Sequence, residues 1–129
     1  MTRKIALAIL TIGFFSFSCN NGPGPGGKAS ITGKVWAQRY VNNCTLLAGE
    51  YWDPDEDVYI IYGDDPSYGD RIKTGPDGTF QFNYLREGKY TVYAYSNVCS
   101  VAQREAVKMT VEITGKKQNV QLDTLKILK

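Results

Sequence analysis

The sequence contains no histidine. That absence excludes histidine-based triads, histidine general bases and histidine metal sites. Cysteine is scarce, with Cys19, Cys44 and Cys99 the three present, and neither Cys44 nor Cys99 has a base motif beside it. Carboxylates are frequent, but none is set in apolar sequence that would raise its pKa for acid–base work. No apolar run reaches the ~20 residues that span a bilayer core. No charge of one sign dominates either. Without Arg3 and Lys4 the chain carries 13 basic and 13 acidic residues, so no general attraction to nucleic acid or anionic lipid is expected. The expectation is a protein that is not an enzyme and carries no cofactor.

The start of the chain reads as an address. Thr2-Arg3-Lys4 is followed by an apolar stretch from Ile5 to Phe17, with small residues at Ser16 and Ser18. Residues 1–18 therefore predict a secretory signal peptide. The next residue, Cys19, precedes Asn20-Asn21-Gly22-Pro23-Gly24-Pro25-Gly26-Gly27, which suits neither helix nor packed strand. Phe17-Ser18-Cys19 resembles a bacterial lipobox, in which the cysteine is acylated; Ser16 stands where leucine is usual. Ser16 and Ser18 would also suit an ordinary signal peptidase. Cysteine parity favours the lipobox: acylating Cys19 leaves Cys44 and Cys99 to pair, in keeping with an oxidising compartment. Residues 19–28 are then lipid anchor and flexible linker, and residues 29–129 one domain.

That domain shows no convincing helix. Ser30 to Ala37 alternates through Ile31, Gly33 and Val35, and Val58 to Tyr62 is β-branched and aromatic. Arg71 to Thr74 is a weaker strand before the turn Gly75-Pro76-Asp77-Gly78. Thr79 to Leu85 alternates Phe80, Phe82 and Tyr84, and Lys89 to Ser96 puts Tyr90, Val92 and Ala94 on one face. Val107 to Ile113 and Asn119 to Ile127 complete seven strands at sandwich-like spacing. The segment Gln38 to Asp57, with Cys44, Trp52 and several acids, has no clear period and reads as a long loop pinned by the Cys44–Cys99 bond. Closing the chain between Cys44 and Cys99 stabilises by ~4 kcal/mol on the chain-entropy account.

Val58-Tyr59-Ile60-x-Tyr62, Thr74-Gly75-Pro76-Asp77-Gly78-Thr79-Phe80-x-Phe82 and Leu85-Arg86-Glu87-Gly88-Lys89-Tyr90-x-Val92 together resemble the carboxypeptidase regulatory-like (transthyretin-like) domain. Ile31-x-Gly33-x-Val35 matches its first strand. The resemblance implies an all-β, seven-stranded Greek-key sandwich and a non-catalytic role in adhesion, folding support or attachment. It also places the Tyr90 hydroxyl on nearby backbone, as in a tyrosine corner.

Several residues qualify as sites. Asp53, Asp55 and Asp57 are weak calcium candidates, although EF-hand spacing is missing and a solvated charged loop is the commoner arrangement. Tyr59, Tyr93 and Tyr95 should share an outer face and, with Trp52, form a candidate binding surface for protein or sugar. Alternatively, the 38–57 loop folds over that face and buries it. Lys34 and Asn119 occupy first- and last-strand positions like those of the isopeptide cross-link of collagen-adhesin B-type domains, but Lys34 should point outward. Asp123-Thr124-Leu125 resembles the O-glycosylation site of exported Bacteroidetes proteins, with ordinary strand residues as the competing reading. The expected whole is a lipid-anchored binding or structural module of the bacterial cell envelope, at the outer membrane and facing the periplasm, with a protein or glycan partner. The alternatives are a carbohydrate-binding lipoprotein of a polysaccharide-uptake system and an accessory subunit of an envelope complex.

Overall fold

The computed structural model describes residues 22–99 and 101–129. The leader and Cys19 lie outside the described residues. Within them the chain is all-β, forming β1 (Pro25–Val41), β2 (Leu46–Trp52), β3 (Asp57–Tyr62), β4 (Asp70–Lys73), β5 (Thr79–Leu85), β6 (Gly88–Asn97), β7 (Arg104–Ile113), β8 (Asn119–Gln121) and β9 (Leu125–Leu128).

β1 organises the first sheet. Its first half pairs antiparallel with β5 and its second half with β2, while β8 and then β9 run parallel along its other side. The second sheet has the order β4-β3-β6-β7. Period-two burial joins the two layers: Ala29, Ile31, Gly33, Val35 and Ala37 point inward from β1, with the intervening residues half-buried on the outside. Phe80 and Phe82 from β5, Tyr90 and Val92 from β6, Val58 and Ile60 from β3, and Leu125 and Ile127 from β9 close one interior. The expected meeting of Ile31, Val35, Phe80, Phe82, Tyr90 and Val92 is present.

Two glycines are explained by their surroundings. A Cβ on Gly33 would stand 2.5 Å from Phe80 Cζ, so the ring lies against bare backbone. Gly78 has φ +76° and ends the hairpin turn that its N–H closes onto Gly75 O at 3.0 Å. The tyrosine corner also forms, the Tyr90 hydroxyl donating to Arg86 O at 2.6 Å and accepting from Gly24 N–H at 2.9 Å.

Three boundaries differ from expectation. The described residues form nine strands rather than seven, because Asn119–Ile127 is interrupted into β8 and β9 and because Gln38–Asp57 is not one loop. β1 runs on to Val41 and β2 returns beside it, joined through Ala37↔Tyr51 and Tyr40↔Leu47. β2 escaped the periodicity test because it is an edge strand with most residues exposed on both faces, so no alternation is written into it. The linker also ends early: Arg86 Nε donates to Gly22 O at 2.7 Å, and strand pairing begins at Pro25. The Cys44–Cys99 disulfide is present, tying the β1–β2 turn to the end of β6.

Candidate functional site

The second sheet carries the main side-chain cluster on its outer face. Antiparallel register sets Tyr59 of β3 opposite Tyr93 of β6, and their rings stack with centroids 4.9 Å apart and planes 9° from parallel. Tyr95 meets both edge-on, at 5.5 Å from Tyr59 and 5.6 Å from Tyr93. Tyr68, from the turn between β3 and β4, adds an edge contact to Tyr59 at 5.0 Å. The rings therefore stand on the sheet and shield one another. Tyr93 is only 7% exposed, whereas Tyr68 is 47% exposed. Burial, followed by the neighbouring Tyr95, pushes the Tyr93 phenol up to about 12.

The expected trio of Tyr59, Tyr93 and Tyr95 thus comes together, with Tyr68 as a fourth member that sequence reasoning missed. Its signal was local: an aromatic in the Gly63–Gly69 turn has no strand face of its own and must pack on its neighbours. The 38–57 segment does not cover this face, since β2 belongs to the other sheet.

Trp52 is consequently separated from the tyrosines. It lies opposite Trp36 in register, with ring centroids 4.9 Å apart at 74°, on the outer face of the first sheet. Lys34 Nζ sits 4.3 Å from the centre of the Trp52 ring. Lys34 points outward as expected and is engaged there, and Asn119 stands in strand register with Ser30 rather than with Lys34. Leu46, Leu47, Tyr51 and Trp52 leave β2 with an exposed apolar surface along an edge that is unpaired among the described residues.

Two of the three acidic residues considered for calcium, Asp53 and Asp57, are held by cations of the protein. Asp53 is buried, and its Oδ2 lies 2.9 Å from Lys129 Nζ, which also reaches Glu56 Oε2 at 2.6 Å. Burial raises the Glu56 carboxyl against the lowering effect of Lys129. Asp57 faces Lys73 at 3.3 Å and Arg71 at 4.0 Å. Asp55 is exposed at φ +54°. Among the described residues no cluster of three or more Asp, Glu or Cys is arranged to hold a metal ion. Thr124 lies in the break between β8 and β9 rather than within a strand, and is half-buried.

Two open clefts lie at opposite ends of the sandwich. One, of about 470 Å³, is bounded by Tyr40, Asn42, Asn97, Arg104 and the disulfide. The other, of about 400 Å³, lies among Lys28, Arg86, Lys116 and Lys117.

No family model matches the chain, and no curated protein matches it significantly. Among solved structures the chain is similar to a candidate carbohydrate binding protein from Pseudomonas aeruginosa, at a TM-score of 0.49 and 13% identity, over 82% of this chain and 91% of that one.

Proposed function

We propose that this chain is a non-catalytic binding module of the bacterial cell envelope, exported by residues 1–18 and tethered through a lipidated Cys19. Its working surface is the tyrosine face of the four-stranded sheet. The observation that carries this reading is the cluster of Tyr59, Tyr68, Tyr93 and Tyr95 gathered on an outer face, where core packing gives no reason for four aromatics. Tyrosine joins a rigid apolar body to a polar tip and is enriched at recognition surfaces. The fold reading that accompanies it is a transthyretin-like Greek-key sandwich of the carboxypeptidase regulatory-like kind. Counting β8–β9 as one interrupted strand and β2 as an insertion leaves the seven strands of that plan.

The surface is tested with Tyr68→Ala, since Tyr68 is exposed and its loss forfeits an edge contact with Tyr59 of about 0.5–1.5 kcal/mol. The variant is expected to fold normally and to lose retention on isolated envelope material; unchanged retention removes the tyrosine face from the reading. The tether is tested separately by mass spectrometry of the mature protein, where an unmodified Cys19 would exclude it.

A second reading, an accessory subunit of an envelope complex, is favoured by the exposed Leu46, Leu47, Tyr51 and Trp52 of β2. It expects a stoichiometric protein partner whose cross-linking is abolished by Leu47→Glu.

A further inference from the structure

The tyrosine face holds cations as well as rings. Strand register aligns Arg71, Tyr59, Tyr93 and Lys108 in one row across β4, β3, β6 and β7. At ~4.8 Å between neighbouring strands the row is about 14 Å long, with a positive charge at each end. Lys73 follows Arg71 along the same face of β4, beside Asp57. Arg104 at the start of β7 places its guanidinium 5.2 Å from the centre of the Tyr95 ring. Four cations therefore border four tyrosines, and Asp57, the acid set among them, is already shared by Arg71 and Lys73. The chain beyond its leader balances 13 basic against 13 acidic residues, so the positive character of this face is a local segregation that the overall balance conceals.

We propose that this face binds an extended acidic glycan, a polymer of carboxylate-bearing sugars. Tyr59, Tyr68 and Tyr95 meet the sugar rings and hydroxyls, and Arg71, Lys73, Arg104 and Lys108 meet the carboxylates. The proposal rests on the tyrosine face being the working surface.

Three features select this ligand. A neutral sugar would bring no anion to this face, where Arg71 and Lys73 share the single carboxylate of Asp57 and Arg104 rests against the Tyr95 ring. A bound peptide ordinarily takes a sheet edge, a groove or a pocket, whereas Tyr59 and Tyr93 sit on β3 and β6, the interior strands whose edges are both paired. The row is flat and charged at both ends, which suits a repeating polyanion lying across the strands rather than a single small anion.

The test is affinity electrophoresis of the full chain, in non-ionic detergent, through gels containing polygalacturonate, neutral dextran or poly-glutamate. The expected result is retardation by polygalacturonate that declines as salt is raised, with little effect of dextran or poly-glutamate. Affinity for oligogalacturonate should fall about tenfold in Arg104→Ala/Lys108→Ala and about tenfold in Tyr68→Ala, each corresponding to ~1.4 kcal/mol. Thermal midpoints near that of the parent protein would show that these exposed substitutions leave the fold intact. Equal retardation by poly-glutamate overturns the proposal, because charge alone then accounts for binding; equal retardation by dextran overturns it from the other side. No retardation by polygalacturonate, combined with envelope retention that still depends on Tyr68, rejects the acidic glycan and leaves the surface standing.

Discussion

At the scale of single residues, the buried Asp53 shows how strongly one side chain can depend on another. Its carboxylate is withdrawn from water and faces Lys129 Nζ at 2.9 Å. Burial on its own would lower the Lys129 ammonium, but Glu56 and Asp53 outweigh it and hold the group above its ordinary value of 10.5. A cation whose folded-state pKa is raised contributes stability that is complete below the unfolded value and lost as pH rises through the folded one. Lys129→Met should therefore cost about 1–3 kcal/mol at neutral pH by stranding Asp53, and it should remove part of the loss that the parent protein suffers above pH 10.5. Urea unfolding of both proteins across pH 8–12 measures this. Tyr93 acts in the same alkaline direction: its phenol, pushed up to about 12, stays protonated in the fold while the unfolded chain ionises near 10. Comparing the parent with Tyr93→Phe by phenolate absorbance should show only about a tenth of one phenolate from this ring at pH 11. In the core, Gly33→Ala would drive a methyl into Phe80, 2.5 Å away. The expected destabilisation is about 1–3 kcal/mol, read as a lower thermal midpoint.

At the scale of elements, legibility followed one-sided burial. β1 buries one face along most of its length, and β5 through Phe82 and β6 keep the same inward period, so Ile31, Val35, Phe80, Phe82, Tyr90 and Val92 could be placed inside from alternation alone. Tyr84, which that alternation set beside Phe80 and Phe82, instead has φ +58° and is exposed, and Leu85 is buried in its place. β2 buries neither face well and left no such trace. Its hairpin with β1 turns through Asn42, Asn43 and Cys44, all with φ between 53° and 63°. Asparagine tolerates that region better than most residues, but the turn offers no glycine signal of the kind that marked Gly75–Gly78. Parity of the cysteines supplied the one long-range constraint on this segment, and the bond spans a sequence separation of 55. Replacing Cys44 and Cys99 together by alanine should cost about 2–4 kcal/mol in denaturant unfolding. Hydrogen exchange should place the largest loss of protection in the second half of β1 and in β2. The tyrosine face was only partly legible for a related reason. Period two gives the side of a sheet on which Tyr59, Tyr93 and Tyr95 lie, but register decides which strands are neighbours. Arg71, Arg104 and Lys108 could not be joined to the tyrosines until that register was known.

At the scale of the whole molecule, the sandwich separates two outward surfaces that the linear sequence runs together. The tyrosines and their cations belong to the β4-β3-β6-β7 sheet, and Trp36, Trp52 and Lys34 to the sheet built on β1. With a packed core of ~10 Å between the layers, changes on one side should leave the other untouched. Trp52→Ala is accordingly expected to leave glycan affinity unchanged while weakening any contact made through β2; calorimetry on the same variant distinguishes the two. The docking of Gly22 and Gly24 onto Arg86 and Tyr90 also has a mechanical meaning. A pull on the N-terminus enters the domain through β1, the strand flanked by β5 and β2 on one side and by β8 and β9 on the other. Its ladder bonds lie across the direction of the pull and share the load in shear rather than opening one by one. The Arg86 and Tyr90 bonds would yield first, as a sacrificial clasp, before any strand slipped.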